Sequence, residues 1–311
     1  MAMAEEKVRR LAHVARRYYL EDWKQQDIAR ELGVSRPMVS RLLAEARALG
    51  VVEITIHDPD TGQDILLDRL RRISPLRGGI LVEDDENDHR TNQKLSQAAI
   101  QLLHRLNTRR LGVGWGHFVG QLVTWLEEHP DPNSPVAAVC PLVGNASFPI
   151  RNYHSNENVR LLAQQLDAQP HFLYLPALPE SLEERDVLCS TELYHQVYQE
   201  WELMDTALVN IGNYPSTPDF ASVARYGDRL QKEHCCGRLL AYYFNPSGQI
   251  ISSPQDFAIQ IPLDLLSRCP NVVGVCSANT STRALLGALR TGRFTHLVAR
   301  TGLIQNLLNE K

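Results

Sequence analysis

At 311 residues, with 43% hydrophobic and 22% charged side chains, the chain is long enough for a sizeable core plus a small accessory module. No apolar run approaches the ~20 residues of a membrane-spanning helix, and the N-terminus lacks a signal peptide's apolar segment, so a cytoplasmic protein with no membrane partner is expected. The net charge of −4 divides into a head of about +2 (ten Lys/Arg against eight Asp/Glu in residues 1–57) and a body of about −6 (22 against 28), which suits contact with a polyanion at one end only.

The chain opens with a helix predicted over Glu5–Leu20, with Val8, Leu11, Ala12, Ala15, Tyr18 and Tyr19 on its apolar face. Residues 24–49, KQQDIARELGVSRPMVSRLLAEARAL, read as a helix-turn-helix. Gly33 supplies the left-handed residue that ends the first helix, Ser35 is placed as N-cap, and Pro37 falls in the next first turn, where a missing N–H is harmless. Val39, Leu42, Leu43 and Ala46 form the inward stripe, and Ala29 lets the two helices cross closely. The outer face then carries Arg36, Pro37, Ser40, Arg41, Ala44 and Arg47. Hydroxyls and arginines there suit base edges and phosphates of a major groove. Candidate DNA contacts are Gln25, Gln26, Ser35, Arg36, Pro37, Ser40, Arg41 and Arg47. After Gly50, VVEITIHD alternates with Val52, Ile54 and Ile56 on one face and predicts a short wing strand.

Residues 58–78 read as a connector: Asp58, Pro59 and Gly62 break the strand, and Ile65, Leu66, Leu70 and Ile73 mark a short amphipathic helix able to pack against its own copy in a dimer. The body, 79–311, alternates apolar strands with helices. Strands are predicted at Gly79–Val82, Leu111–Trp115, Val136–Val143, Ala207–Ile211, Leu239–Phe244, Asn271–Val275 and His296–Val298. Helices are predicted at Asn92–Leu106, Phe118–Leu126, Asn156–Leu166 and Ser281–Leu289, with the acidic run Glu83–Asp88 as a solvated loop. That alternation predicts a parallel, doubly wound α/β domain.

Such sheets bind ligands beyond the carboxyl ends of their strands. Five loops there carry glycines, hydroxyls or amides: 114–117, 144–147, 211–213, 236–238 and 276–281. Together they predict one crevice suited to a polyhydroxyl compound. The six cysteines, at 140, 189, 235, 236, 269 and 276, show no ligand spacing. The adjacent Cys235 and Cys236 should point to opposite faces, so neither a metal nor a cofactor is expected.

The chain resembles the SorC-type, or DeoR-like, sugar-binding bacterial transcription regulators over nearly its full length. The resemblance rests on the head YYLEDWKQQDIARELGVSRPMVSRLLAEARALGVVEITI and on ordered body motifs: LGVGWG, PLVGN, SNENVRLLAQQL, YLPALP, DTALVNIG, CGRLLAYYFNPSGQII and VVGVCSANTSTRALLGALRTGRFTHLV. It implies a body with the fold of sugar-phosphate isomerases and CoA-transferases, a sugar or sugar-phosphate effector, and operator-binding dimers or tetramers. Gly116, Gly144, Asn156, Gly212 and Gly237 match positions typical of the effector crevice.

Where the family has other residues, this chain has His117 and Phe118 after the third glycine of LGVGWG, Asn145 after Gly144, Arg238 after Gly237, and Arg300 near the last strand. Ser277, Ala278, Asn279, Thr280 and Ser281 replace a loop whose lysine meets the effector's phosphate in the family, leaving Arg160, Arg238 or Arg283 to meet such a group. The candidate effector set is Gly116, His117, Phe118, Gly144, Asn145, Asn156, Arg160, Gly212, Gly237, Arg238, Ser277, Ala278, Asn279 and Ser281. An isomerase reading needs a carboxylate base in the crevice. The loops hold none, with Glu157 and Asp219 nearest in sequence, so no catalytic residue is assigned. A winged-helix module used only for protein contacts is the third reading, against which the arginine face argues.

Overall fold

The computed structural model describes residues 2–49, 51–52, 62–146, 151–216 and 225–309. The chain divides into two compact units, Met1–Pro59 and Asp60–Lys311.

The first unit holds three helices: α1 (Ala2–Tyr19), α2 (Gln25–Leu32) and α3 (Arg36–Ala48). Gly33 ends α2 in the left-handed conformation at φ 62°, and the Val34 N–H closes the turn on Ala29 O at 3.0 Å. Val14, Ile28, Ala29, Val39 and Leu43 pack at the crossing, and Leu11, Ala15 and Ala46 form a second small cluster. The inward stripe of α1 is therefore Leu11, Val14 and Ala15; the expected Val8 and Ala12 lie exposed because the stripe is centred about a residue away. Ser35 has N-cap dihedrals, but its hydroxyl makes no capping bond. Val51 and Val52 turn back onto Ala46 O rather than starting a strand, and the rest of the predicted wing, 53–61, lies outside the described residues.

The second unit is built on strands β1 (Gly78–Val82), β2 (Arg110–Val113), β3 (Ala138–Pro141), β4 (Gln169–Pro170), β5 (Thr206–Asn213), β6 (Gly237–Leu239), β7 (Tyr242–Phe244), β8 (Ile250–Ile251), β9 (Asn271–Val275) and β10 (His296–Arg300). Seven strands run in parallel in the order β1-β10-β9-β5-β2-β3-β4, while β6, β7 and β8 extend β5 as an antiparallel meander. The helices are α4 (Gly62–Arg71), α5 (Asp88–Arg105), α6 (His117–Glu128), α7 (Ser155–Leu166), α8 (Leu182–Cys189), α9 (Glu192–Leu203), α10 (Arg229–Lys232), α11 (Leu263–Arg268), α12 (Thr282–Arg290) and α13 (Thr301–Asn309).

Both faces of the sheet are covered, as alternate residues of β5 show. Ala207, Val209 and Ile211 join a core with α4, α9, α12 and α13, and Leu208 joins one with α5, α6 and α7. This is the expected doubly wound parallel sheet. Four local readings differ. Leu239–Phe244 is a hairpin rather than one strand, because Leu240 at φ 52° reverses the chain. The strand within Val136–Val143 is shorter, and α8 and α9 add a helical pair. The connector helix packs on the body: Leu66, Leu67 and Leu70 are buried in the body's own core, while Ile65 and Ile73 stay 61% and 41% exposed. The acidic run is anchored, not merely solvated: Asp84 accepts from Arg300 Nη1 (2.7 Å) and Gly302 N (2.6 Å), and Asp85 pairs with Lys94 (3.1 Å).

The order of strand addition reverses between β2 and β5. From β2 the sheet grows outward through β3 and β4; from β5 it grows the other way through β9 and β10. A crevice is expected at such a switch point, outside the carboxyl ends of these two strands.

Candidate functional site

In the first unit, α2 and α3 present the face expected to meet DNA. Gln26, Ser35, Arg36, Pro37, Ser40, Arg41 and Arg47 are exposed, and Gln25 is half-buried. Met38, absent from the sequence reading, is exposed beside them. Among the described residues, Arg36, Arg41 and Arg47 take part in no ion pair. Of the other cations of the unit, Arg17 pairs with Glu21 and Glu31 and lies 4.4 Å from the Trp23 ring, Lys7 pairs with Glu45, and Arg30 pairs with Asp27.

In the second unit, the switch point holds a recess lined by Trp115, Gly116, Tyr153, Asn210, Arg238 and Leu240. Its empty volume is about 190 Å³. Gly116 precedes α6 at φ 114°, a conformation that favours glycine, and a Cβ there would stand 3.4 Å from Asn210 Nδ2. The Trp115 and Tyr153 rings meet edge to face at 5.7 Å. The buried Arg238 side chain lies over Gly212, within 3.1 Å of where a Cβ would sit, and Nη2 donates to Tyr153 Oη at 3.4 Å. Three of the expected residues, Gly116, Gly212 and Arg238, thus meet here.

The others are placed differently. Phe118 is a core residue, fully buried against the sheet among the α5–α7 side chains, while its neighbour His117 starts α6 exposed. Arg160 lies on the surface, held by Glu157 through Nε (2.9 Å) and Nη2 (2.8 Å). The Asn145 and Asn156 amides hold backbone: both donate to Leu173 O (2.9 and 3.2 Å), while Asn145 Oδ1 accepts from Asn156 N and Asn156 Oδ1 from Leu173 N. Gly144 and Gly237 permit close approach, since a Cβ would come within 2.6 Å of Pro176 O in one case and of Phe244 Cζ in the other. Arg283 donates to His234 O at 3.4 Å.

The 277–281 turn is internally bonded. Ser277 N donates to Thr280 Oγ1, Ala278 N to Asn92 Oδ1 and Ser281 N to Asn213 Oδ1, each at 2.9 Å; Ser281 Oγ caps α12 by accepting from Ala284 N at 3.2 Å. Ser277 Oγ donates to Asn279 Oδ1 at 2.7 Å, and Arg300 Nε donates to Ala278 O at 3.0 Å. Sequence reasoning missed Tyr153, Asn210 and Asn92. Asn210 carried a signal, a polar residue inside the buried run ALVNI; the others are joined across the chain and had none.

Glu157 is held below its usual range by the Arg160 side chain, a surface ion pair, and Asp219 lies outside the described residues. Cys235 and Cys236 pack in separate clusters, and burial pushes the Cys235 and Cys276 thiols up to about 12. Among the described residues no group of His, Cys, Asp or Glu is placed to hold a metal, and no helix is long and apolar enough to cross a membrane.

A three-helix head with an exposed arginine face and a parallel α/β body with a recess at its switch point fit a ligand-responsive transcriptional regulator. The family model described as "Putative sugar-binding domain" matches residues 62–309, and the chain belongs to that family. It is a SorC-type, DeoR-like regulator. The sorbitol operon regulator of Klebsiella pneumoniae is 27% identical over 299 residues, 92% of this chain and 93% of that one. The deoxyribonucleoside regulator of Bacillus subtilis (strain 168) is 26% identical over 306 residues, 95% and 96% of the two chains. The crystal structure of the full-length K. pneumoniae regulator SorC matches with a TM-score of 0.81 at 26% identity, covering 97% of this chain and 98% of that one.

Proposed function

We propose that this chain binds operator DNA of a carbohydrate-utilisation operon through residues 24–49, with an affinity set by a sugar, polyol or sugar phosphate in the crevice between β2 and β5. The observation that carries the reading is the outer face of α3, where Arg36, Arg41 and Arg47 are exposed beside Ser40 and take part in no ion pair among the described residues. Arg36, Ser40 and Arg41 make the base and nearby phosphate contacts, and Gln25, Gln26, Ser35, Pro37 and Arg47 fit the backbone.

Residues 1–57 are the DNA-binding domain, 58–78 lead from it, and 79–311 bind effector. The body's parallel sheet is of the kind found in sugar-phosphate isomerases and CoA-transferases, here used for binding alone. One helix-turn-helix reads only a few base pairs, so the working species in the cytoplasm is a homodimer or homotetramer with heads on paired half-sites. Enrichment from random DNA with the full chain, followed by titration of the selected site in the presence of candidate carbohydrates, tests the reading. No enriched sequence, or binding that no carbohydrate alters, refutes it.

A further inference from the structure

We propose that Asn210 reads the effector, and that it reads a neutral hydroxyl of an unphosphorylated sugar or polyol. This deepens the regulator reading above and rests on it. Asn210 lines the switch-point recess, and its Oδ1 is buried with no hydrogen-bond partner among the described residues. A buried acceptor is satisfied only by a donor. An alcohol is one; a phosphate ester ionised at neutral pH brings acceptor oxygens and negative charge, and would face Oδ1 with repulsion.

Arg238, lining the same recess, complements the alcohol: a hydroxyl seated there donates to Asn210 and accepts from the guanidinium.

A phosphate also loses part of its usual seat. In a parallel α/β sheet that seat is the N–H cluster where a strand turns into a helix. Between β9 and α12 those donors are taken by the chain's own oxygens: Thr280 Oγ1 on Ser277 N, Asn92 Oδ1 on Ala278 N, Asn213 Oδ1 on Ser281 N, and Ser281 Oγ on Ala284 N. Four donors of this turn are thus bonded to the chain's own oxygens.

The test is a thermal-shift and calorimetric panel on the full chain, using free pentoses, hexoses and hexitols, each paired with its phosphate ester, and inorganic phosphate alone. A free sugar or polyol is expected to bind, its ester about tenfold or more weaker. Asn210→Asp keeps an acceptor in place and adds charge, so affinity for the free compound should stay within about threefold while any residual ester binding disappears. Asn210→Leu should weaken the free compound about tenfold or more without lowering Tm, since it removes a buried unpaired acceptor. An ester that binds more tightly than its parent sugar, or unchanged affinity in Asn210→Leu, overturns this inference and leaves the regulator reading intact. A panel in which nothing binds, with DNA binding intact, overturns both.

Discussion

Replacing Arg36 and Arg41 together by alanine isolates the DNA-binding face from the stability of the head. Both residues are exposed and make no ion pair among the described residues, so their removal breaks nothing the fold relies on, and the stability change should stay within about 0.5 kcal/mol. Against DNA the loss is large. Each base-reading arginine is worth ~1–3 kcal/mol, so the pair costs ~2–6 kcal/mol per head, a fall of roughly 30-fold to more than 10⁴-fold. Two heads on two half-sites compound the loss until only non-specific binding remains. The slope of log K against log salt should also flatten by about 0.9 for each phosphate contact removed. Fluorescence anisotropy on the selected operator at several salt concentrations measures both quantities. Arg17→Ala is the contrasting control: it breaks the pairs to Glu21 and Glu31 and should lower the Tm of the head instead. Full operator affinity in the double variant, with the parent's salt slope, would falsify the placement of α3 in the groove.

Two glycines separate strain from collision. Gly33→Ala meets nothing within 4 Å and incurs only the left-handed penalty, ~1 kcal/mol, whereas Gly144→Ala drives a Cβ to 2.6 Å from Pro176 O and should cost ~3 kcal/mol or more; equal denaturation midpoints for the two would contradict this geometry. Burial first, then Arg77 and Arg71, hold His296 below its ordinary value of 6.5. The unfolded chain therefore takes up the proton at a higher pH than the folded one, and stability should fall as pH drops below about 6.5. His296→Gln should flatten that part of the stability–pH curve, and an unchanged slope argues against the assignment.

What was legible in the sequence was local or periodic. Gly33 and Pro37 mark helix ends through their own dihedral limits, and apolar runs mark strands covered on both faces. The carboxyl-edge loops followed from those strands because parallel strands end on the same side. What was not legible depends on partners distant in the chain. Asn145 and Asn156 have residue types suited to a sugar, yet their amides are spent on Leu173, 28 and 17 residues away. Phe118 follows the crevice glycine by two residues, and the turn of α6 carries it into the core. Leu240, an apolar residue in an apolar run, gives no sign that it reverses the chain.

Asp84 shows how such a distant partner is weighed. It stands in the turn after β1, with Oδ1 on Arg300 Nη1 and Oδ2 on Gly302 N in the first turn of α13. The second bond does the work of an N-cap from outside the helix, satisfying an orphan donor and placing a negative charge at the positive end of α13. The ion pair itself is partly exposed, 24% and 41% for the two side chains, and so is worth at most about 1 kcal/mol. Arg300→Ala should accordingly cost ~0.5–1 kcal/mol, and Asp84→Ala, which loses cap and pair together, ~1–3 kcal/mol. If the cap dominates, the double variant should cost little more than Asp84→Ala alone, and Asp84→Asn, which keeps an acceptor for Gly302 N, should recover most of the loss. Urea denaturation of the four proteins decides it. An Arg300→Ala cost equal to that of Asp84→Ala, with no recovery in Asp84→Asn, would show that the ion pair and not the cap holds this corner of the sheet.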